Sequence, residues 1–307
     1  MVFMKRRSCL TNLLTFLDKV SGCLDSGENM DVVFLDFAKA FDKVPYKRLE
    51  LKLKSHGITG KLLIWITDWL NNRRQRVCVN GSKSIWQAVL SGVPQGSVLG
   101  PILFLIYIND LDCGITNWIL KFADDTKIFG TSCDIHQRCK LQDDLNALFH
   151  WSTEWQMLFN VDKCKVMHFG KHNAHYDYTL NNKPLVKVTE ERDLGIVISS
   201  DLKVSQQCSQ AYSKASKMLG VLNRSIVYKS KDIMLKLYKS LVRPHLEYCT
   251  AAWSPHYVKD KELLERIQRR FTRMIPELKG LSYSDRLKAL KLWTLEERRI
   301  RADLIEV

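Results

Sequence analysis

Three aspartates adjoin short apolar runs and could together hold a divalent cation. Asp36 follows the run Val32–Leu35, while Asp124 and Asp125 lie side by side within the largely apolar stretch 118–130. Carboxylate oxygens suit Mg²⁺, and two such ions about 4 Å apart stabilise the attacking and leaving oxygens of a phosphoryl transfer. The carboxylates converge if both segments belong to one sheet, which the spacing permits without establishing.

The segments that carry these acids each admit two interpretations. The stretch 118–130 has β-favouring residues on both sides of the acids, which predicts strand, tight turn and strand. Its two acids could hold a metal ion, or they could form an ordinary exposed turn. The run before Asp36 predicts a buried strand that delivers this acid at its carboxyl end. Asp36 could equally be the N-cap of a helix through Ala38–Ala40.

Apolar periodicity and turn residues predict the elements up to residue 90. Leucines at helical spacing predict a helix over 10–20 that ends near Gly22, and two more helices between Pro45 and Asn72. Asn80-Gly81 predicts a hairpin turn. Arg73 and Arg74 precede this hairpin, where they could contact phosphate or face water.

A glycine-rich loop, residues 91–100, leads into an apolar helix with Pro101 in its first turn. Glycines there allow close backbone approach to a ligand, but no Walker phosphate motif follows. Farther along, the patterns predict a helix over 141–155 and strands over 161–169 and 193–198. The chain becomes almost wholly helical from Ser205, so we place a domain boundary between residues 202 and 203.

Charge is distributed unevenly along the 307 residues. The net charge is +14, with 25 basic and 22 acidic residues through Asp201 and 22 basic and 11 acidic residues beyond it. This asymmetry favours a polyanionic partner, nucleic acid before acidic membrane, although a solvated basic surface is the ordinary alternative. No apolar stretch reaches the length of a membrane span. Nine cysteines without paired spacing indicate a reducing compartment, so we expect an intracellular protein, nuclear or cytoplasmic, that is not secreted.

Several blocks in a fixed order resemble reverse transcriptases of LINE-type (non-LTR) retrotransposons, close to the jockey and CR1 groups. The resemblance covers nearly the whole chain and lies in residues 34–42 (FLDFAKAFD), 92–97 (GVPQGS), 122–125 (FADD), 158–163 (LFNVDK), 194–195 (LG) and 235–248 (LKLYKSLVRPHLEY).

The resemblance implies an α+β right-hand polymerase. Residues 1–202 would form a palm, an antiparallel sheet with packed helices, together with partial fingers, and residues 203–307 a basic helical thumb. In the family, a fingers region precedes the helix that starts near Ser8, so we expect a fragment with the fingers largely missing. Whether a partner chain supplies them is left open. Cys164 departs from the family, which more usually has Thr or Ser there.

The resemblance also implies roles for individual residues. The catalytic set would be Asp36, Asp124, Asp125 and Lys163, with the three aspartates binding two Mg²⁺ ions, or Mn²⁺, and Lys163 near the departing pyrophosphate. Phe41 would exclude a ribose 2′-OH. The nucleotide-binding residues would be Phe37, Phe41, Pro94, Gln95 and Gly96. The neighbourhood of Leu194 and Gly195 resembles the primer-contacting turn of the family. We assign Leu194, Gly195, Arg73 and Arg74 to primer and template.

The predicted function is therefore an RNA-directed DNA polymerase core that adds deoxynucleotide triphosphates to the 3′-OH of a DNA primer along an RNA template, with no membrane partner. An alternative is an inactive, nucleic-acid-binding remnant of such an element. A phosphatase or cyclase with paired acids is a third class, but the chain lacks a nucleophile-plus-acid motif for it.

Overall fold

The computed structural model describes residues 8–306, which divide into two compact units: residues 19–188, and residues 8–18 together with 189–306. The predicted boundary at 202/203 lies within the second unit. The hairpin that ends at Ser199 groups with the helix that follows it, since the amide of Val197 donates to Gln207 Oε1 at 3.0 Å. The assignment of 1–202 and 203–307 to functional domains stays a prediction, and Met1–Arg7 lie outside the described residues.

Helices and strands alternate in the first unit, and helices dominate the second. The strands are β1 (Met30–Leu35), β2 (Arg74–Gln75), β3 (Cys78–Val79), β4 (Ser82–Lys83), β5 (Gln87–Ala88), β6 (Trp118–Phe122), β7 (Asp125–Thr131), β8 (Lys165–Phe169), β9 (Thr179–Leu180), β10 (Lys183–Pro184), β11 (Val186–Lys187), β12 (Glu190–Asp193) and β13 (Ile196–Ser199). The helices are α1 (Cys9–Asp25), α2 (Ala40–Lys43), α3 (Tyr46–Ser55), α4 (Gly60–Leu70), α5 (Leu99–Tyr107), α6 (Ile135–Glu154), α7 (Ser205–Ser225), α8 (Lys231–Leu237), α9 (Pro244–Glu247), α10 (Val258–Arg273), α11 (Tyr283–Leu290) and α12 (Leu295–Glu306).

The central sheet of the first unit has five strands in the order β11-β8-β1-β7-β6. β1 lies between β7 and β8 and is antiparallel to both, and β6 is antiparallel to β7. The sheet is mixed, because β11 runs parallel to β8 after the intervening hairpin β9–β10. The α+β class is therefore confirmed, while the prediction of a purely antiparallel sheet was wrong at this edge.

One face of the sheet forms the main core. Side chains alternate between faces along a strand, so Val33 and Leu35 of β1 point into the core, with Ile128 of the neighbouring strand. Helices α3, α4, α5 and α6 cover this face with buried residues that include Leu49 and Leu145. Full burial of one such side chain contributes about 2 kcal/mol. This alternation leaves Asp36, the residue that follows β1, off the core face.

Several predicted elements appear with shifted ends. The helices predicted between Pro45 and Asn72 are α3 and α4, and the Asn80-Gly81 turn joins β3 to β4. α1 does not end at Gly22 but continues to Asp25, since a single glycine costs a helix only about 1 kcal/mol. The strand predicted over 161–169 begins at Lys165.

Helices of the second unit pack around α7 and α10, which confirms the helical prediction from Ser205. Leu264, Ile267 and Phe271 form the buried face of α10, and the Phe271 ring stacks on Tyr238 at a centroid distance of 4.1 Å. No helix within residues 8–306 is both long and apolar enough to cross a bilayer.

Candidate active site

Asp36 directly follows the last residue of β1, as the strand interpretation predicted. It does not cap a helix, because the next helix begins only at Ala40, with Lys39 at its N-cap. The backbone beside Asp36 is held by the segment 158–160. Asn160 N donates to Asp36 O, and Ala38 N donates to Leu158 O, both at 2.8 Å. Two of the sequence blocks thus lie side by side.

Asp124 and Asp125 lie at the turn between β6 and β7, which confirms the predicted strand, turn and strand. Phe122 pairs with Asp125, so Ala123 and Asp124 are the two central residues. Ala123 has φ of +55°, a left-handed conformation that costs a non-glycine residue about 1–2 kcal/mol. Strained residues of this kind cluster at functional sites.

The register of the sheet brings the two acidic segments together. β1 and β7 are antiparallel neighbours, and their last pair is Leu35 with Thr126. Continuing this register by one residue places Asp36 opposite Asp125, where antiparallel Cα atoms are about 5 Å apart. Residues opposite each other in this way share one face of the sheet. Asp124 adjoins them in the turn.

The carboxylate of Asp36 has one oxygen suited to a cation. Its Oδ2 atom is shielded from solvent and accepts no hydrogen bond, while the ammonium of Lys163 lies 3.3 Å away. Burying a carboxylate oxygen costs free energy unless a cation or a hydrogen-bond donor lies beside it. Asp36 and Lys163, both predicted catalytic residues, are therefore in contact.

A hard divalent cation fits the donor chemistry at this place. Within residues 8–306, no group of three His, Cys, Asp or Glu side chains is already arranged as a metal site. Mg²⁺ is usually held by one or two carboxylates, with water and substrate phosphate completing its shell. The residues that would hold it here are Asp36, Asp124 and Asp125.

Cys164, where the resemblance leads one to expect Thr or Ser, lies behind Asp36. Its Sγ is 3.5 Å from Asp36 N, and burial raises the pKa of the thiol to about 11. Besides burial, a hydrogen bond with the Asp36 backbone lowers this pKa and the nearby Asp36 carboxylate raises it. At neutral pH the side chain is therefore an uncharged thiol, and it adds no negative charge beside the acids.

The two predicted aromatic residues after Asp36 have different environments. Phe37 is buried and stacks on Phe159, with ring centroids 4.5 Å apart. Phe41 is partly buried and stacks on Phe104 at 4.4 Å. Phe37 thus belongs to the core beneath the site, while Phe41 keeps an exposed portion.

The glycine-rich loop approaches protein backbone rather than open space. Gly92 has φ of +89°, and a Cβ there would lie 2.6 Å from the carbonyl oxygen of Asp42. The amide of Val93 donates to Phe41 O at 2.8 Å, so the loop is fixed to the segment that carries Phe41. A Cβ at Gly100, at the end of the loop, would likewise lie 2.5 Å from Pro94 O, so the close approaches that these glycines allow are to the chain itself.

Beyond that contact, the loop exposes two of its three predicted nucleotide-binding residues. Gln95 and Gly96 are exposed, and Gln95 Nε2 donates to Asp42 Oδ1 at 3.0 Å. Pro94 is partly buried, and its carbonyl accepts a hydrogen bond from Ser97 Oγ at 2.8 Å. Sequence reasoning assigned Asp42 no role, because a long-range backbone contact leaves no local pattern.

Arg73 and Arg74 differ although they are adjacent. The Arg73 guanidinium donates to Tyr46 Oη at 2.7 Å and to the carbonyls of Leu70 and Gly92. These bonds attach the hairpin to α3 and to the glycine-rich loop, and they engage the Nε and Nη2 donors of Arg73. Arg74 is exposed on β2.

Leu194 and Gly195 form the turn between β12 and β13 in the second unit. The strand pattern predicted one continuous strand over 193–198, which was wrong: Leu194 and Gly195 have φ of +46° and +88°, and Asp193 pairs with Ile196 across the turn. The turn itself agrees with the family resemblance, while its contact with a primer stays a prediction. Tyr248 supports the turn, donating to Leu194 O at 3.0 Å, and its ring would lie 3.3 Å from a Cβ at Gly195. Leu is rare at positive φ, so the strand pattern alone did not mark this turn, and only Gly195 and the family resemblance pointed to it.

Comparison with known proteins decides the family. The family model described as "Reverse transcriptase (RNA-dependent DNA polymerase)" matches residues 1–221. The chain belongs to the reverse transcriptase family. The predicted resemblance to enzymes of jockey-like non-LTR retrotransposons is confirmed by the relatives that follow.

The reverse transcriptase chain is 26% identical over 296 residues to the RNA-directed DNA polymerase from mobile element jockey of Drosophila funebris, covering 92% of this chain and 31% of that protein. It is 25% identical over 271 residues to the probable RNA-directed DNA polymerase from transposon X-element of Drosophila melanogaster, covering 84% and 30%. The chain therefore spans about a third of the length of these curated relatives.

The fold of this chain resembles that of a solved telomerase. An apo telomerase from Candida tropicalis matches with a TM-score of 0.50 at 12% identity, covering 91% of this chain and 46% of that one. At this identity the likeness concerns the fold alone, and it agrees with a polymerase-type α+β architecture.

Proposed function

We propose that the chain is the catalytic core of an RNA-directed DNA polymerase of a non-LTR retrotransposon, which transfers deoxynucleotides to the 3′-OH of a DNA primer paired with an RNA template. Residues 1–202 would be the palm with partial fingers, and residues 203–307 the thumb.

The proposal rests chiefly on the register of β1 and β7. That register sets Asp36 opposite Asp125, beside Asp124, while Asp36 Oδ2 is buried and accepts no hydrogen bond. Three carboxylates at the ends of two adjacent strands suit two divalent ions, Mg²⁺ or Mn²⁺. Such ions, when bound, stabilise both the attacking and the leaving oxygen of the reaction.

In the proposed reaction, the primer 3′-oxygen attacks the α-phosphorus of the triphosphate. The new P–O bond forms as the bond to pyrophosphate breaks, and the hydroxyl proton passes from the attacking oxygen to solvent water. Lys163 is two-thirds exposed, so its ammonium can move from Asp36 toward the departing pyrophosphate and offset its negative charge.

The nucleotide would bind beside the glycine-rich loop. Phe41 is fixed between its stack on Phe104 and the bond from Val93 N to its carbonyl, so it can act as a rigid barrier against a ribose 2′-OH. Gln95 and Gly96 are exposed and can contact the nucleotide or the template base. Pro94 and Phe37 would then shape the surroundings rather than touch the ligand.

Primer and template would bind through the turn Leu194–Gly195, through Arg74 and through the basic helices. The helix α10 illustrates the last of these surfaces, since Arg266, Arg269, Arg270 and Arg273 are exposed at helical spacing opposite its buried face. Cations in such a row suit the phosphates of a hybrid duplex, and binding would weaken as salt rises.

A primer-extension assay with Mg²⁺ tests the proposal. We expect the chain to extend a DNA primer on an RNA template, and Asp124→Ala to lower incorporation at least about a hundredfold, because a metal ligand is lost. Asp143→Asn, an exposed carboxylate on α6, serves as the matched control. Equal incorporation by wild type and Asp124→Ala would exclude chemistry at these acids.

The second candidate is an inactive nucleic-acid-binding remnant, favoured by the excess of basic residues beyond Asp201. It requires salt-sensitive binding of an RNA–DNA hybrid without extension by the wild-type chain. Binding at low salt no better than that of a neutral control protein would reject it.

A further inference from the structure

A bulged hairpin, residues 73–90, exposes nearly all of its side chains. Its strands are β2 and β3 on one side and β4 and β5 on the other, joined by the turn at Asn80-Gly81. Every residue of these four strands is exposed, as are Trp86 at 54% and Ile85 at 76%. An isolated two-stranded ribbon is marginally stable in water, so a surface of this kind suits a binding partner.

The strand register sorts these side chains between two faces. Arg74, Arg76 and Cys78 alternate onto one face of the first strand. Arg74 pairs with Ala88 and Cys78 pairs with Lys83, which places Lys83 on the same face. The pairing shifts by one residue between these pairs, so the second strand carries the extra residue as a bulge.

Trp86 lies on this face too. Its ring is 4.4 Å from the guanidinium carbon of Arg76, a cation–π contact across the two strands. The face therefore combines three cations with one aromatic ring. The opposite face carries uncharged residues, among them Gln75, Val77 and Val79.

The charged side chains of the hairpin are all basic. Residues 71–109 contain no Asp or Glu, and Arg74 and Lys83 form no ion pair with the described residues. Arg73, by contrast, donates hydrogen bonds from Nε and Nη2 to Tyr46 and to backbone carbonyls. The three cations of the face thus lack intramolecular acids, which makes the face complementary to a polyanion.

We propose that this face binds single-stranded nucleic acid, through phosphate contacts from Arg74, Arg76 and Lys83 and base stacking on Trp86 or on the Arg76 guanidinium plane. Single strands rather than duplexes fit, because only unpaired bases can stack on an exposed ring or guanidinium. The proposal rests on the proposed function in that the ligand would be the unpaired part of the template.

Fluorescence anisotropy with a labelled 12-nucleotide RNA, without Mg²⁺ or nucleotide, tests the proposal on the full chain. Trp86→Ala should weaken binding about five- to hundredfold, the range measured for loss of one base stack. Arg74→Ala combined with Lys83→Ala should reduce the slope of log affinity against log salt by about 1.4, or 0.7 for each lost phosphate contact.

Gln75→Ala and Val77→Ser, on the opposite face, are the matched controls and should leave affinity within twofold of wild type. Circular dichroism should be unchanged for all variants, since these side chains are exposed. The same RNA with 5-iodouridine should photocross-link to Trp86, as read by mass spectrometry.

Unchanged RNA affinity in both Trp86→Ala and the Arg74/Lys83 double variant would overturn the proposal. Equal losses on the two faces would do the same. So would a Trp86-dependent affinity for vesicles of anionic phospholipid with none for RNA, since that would make the partner a membrane. Asp36→Asn should bind the RNA as wild type does while losing extension, which separates failure of the hairpin proposal from failure of the polymerase proposal.

Discussion

At the residue scale, the site depends on one close backbone approach. Gly92 holds the glycine-rich loop against the segment after β1, where a Cβ would meet Asp42 O at 2.6 Å. The sequence identified this loop as a place of close approach, but it could not say that the neighbour is protein backbone. Contacts between segments 50 residues apart are set by packing rather than by local pattern.

Gly92→Ala should therefore destabilise the chain by about 2–4 kcal/mol, from left-handed strain and the backbone clash together. Urea unfolding measures the loss. Gly96→Ala is the matched control, because Gly96 has φ of +82° in the same loop with nothing within 4 Å of a Cβ. It should lose only the strain, about 1–2 kcal/mol. Similar losses in the two variants would show that the loop is not packed against Asp42.

At the element scale, the acidic turn is positioned from behind by α6. Asp144 is a buried carboxylate on this helix that accepts hydrogen bonds from Thr116 N at 3.1 Å and Asn117 N at 2.8 Å, and from both of their side chains. Residues 116–117 lead directly into β6, so Asp144 fixes the start of the hairpin that carries Asp124 and Asp125.

Asp144→Ala should cost about 3 kcal/mol of unfolding free energy, because several buried donors lose their charged acceptor at once. Chemical denaturation measures this loss, with Asp143→Asn as the control. The neighbouring Asp143 is exposed, so its replacement should change the free energy of unfolding by less than about 0.5 kcal/mol. An equal, small effect of both substitutions would mean that α6 does not anchor β6.

Elements with a strong local pattern were predictable from the sequence. β1, α3, α4 and the Asn80-Gly81 turn follow from apolar periodicity and turn chemistry. The strand pattern over 193–198 hid the turn at Leu194, which depends on an unusual φ and was indicated only by the family resemblance. The parallel pairing of β11 was missed, because it depends on long-range pairing. Likewise, the sequence names Asp36 and Asp125 as candidates, but only the strand register places them opposite each other.

At the scale of the whole molecule, the part of the chain with the larger basic excess nearly coincides with the helical part. The chain beyond Asp201 holds the larger basic excess and is nearly all helical, whereas the sheet with the acidic turn lies within residues 19–188. The hairpin β12–β13 groups with the helices, which the change in composition alone did not reveal. A chain that spans about a third of its curated relatives thus contains both the acids and a basic surface.

The central claim is that Asp36, Asp124 and Asp125 together hold divalent cations. Titration with Mn²⁺, followed by the electron paramagnetic resonance signal of the free ion, measures this without requiring polymerisation. We expect the wild-type chain to bind Mn²⁺ and Asp36→Asn to bind it at least about tenfold more weakly, a difference of about 1.4 kcal/mol, with Asp143→Asn unchanged. Equal Mn²⁺ binding by the wild-type and Asp36→Asn chains would contradict the account.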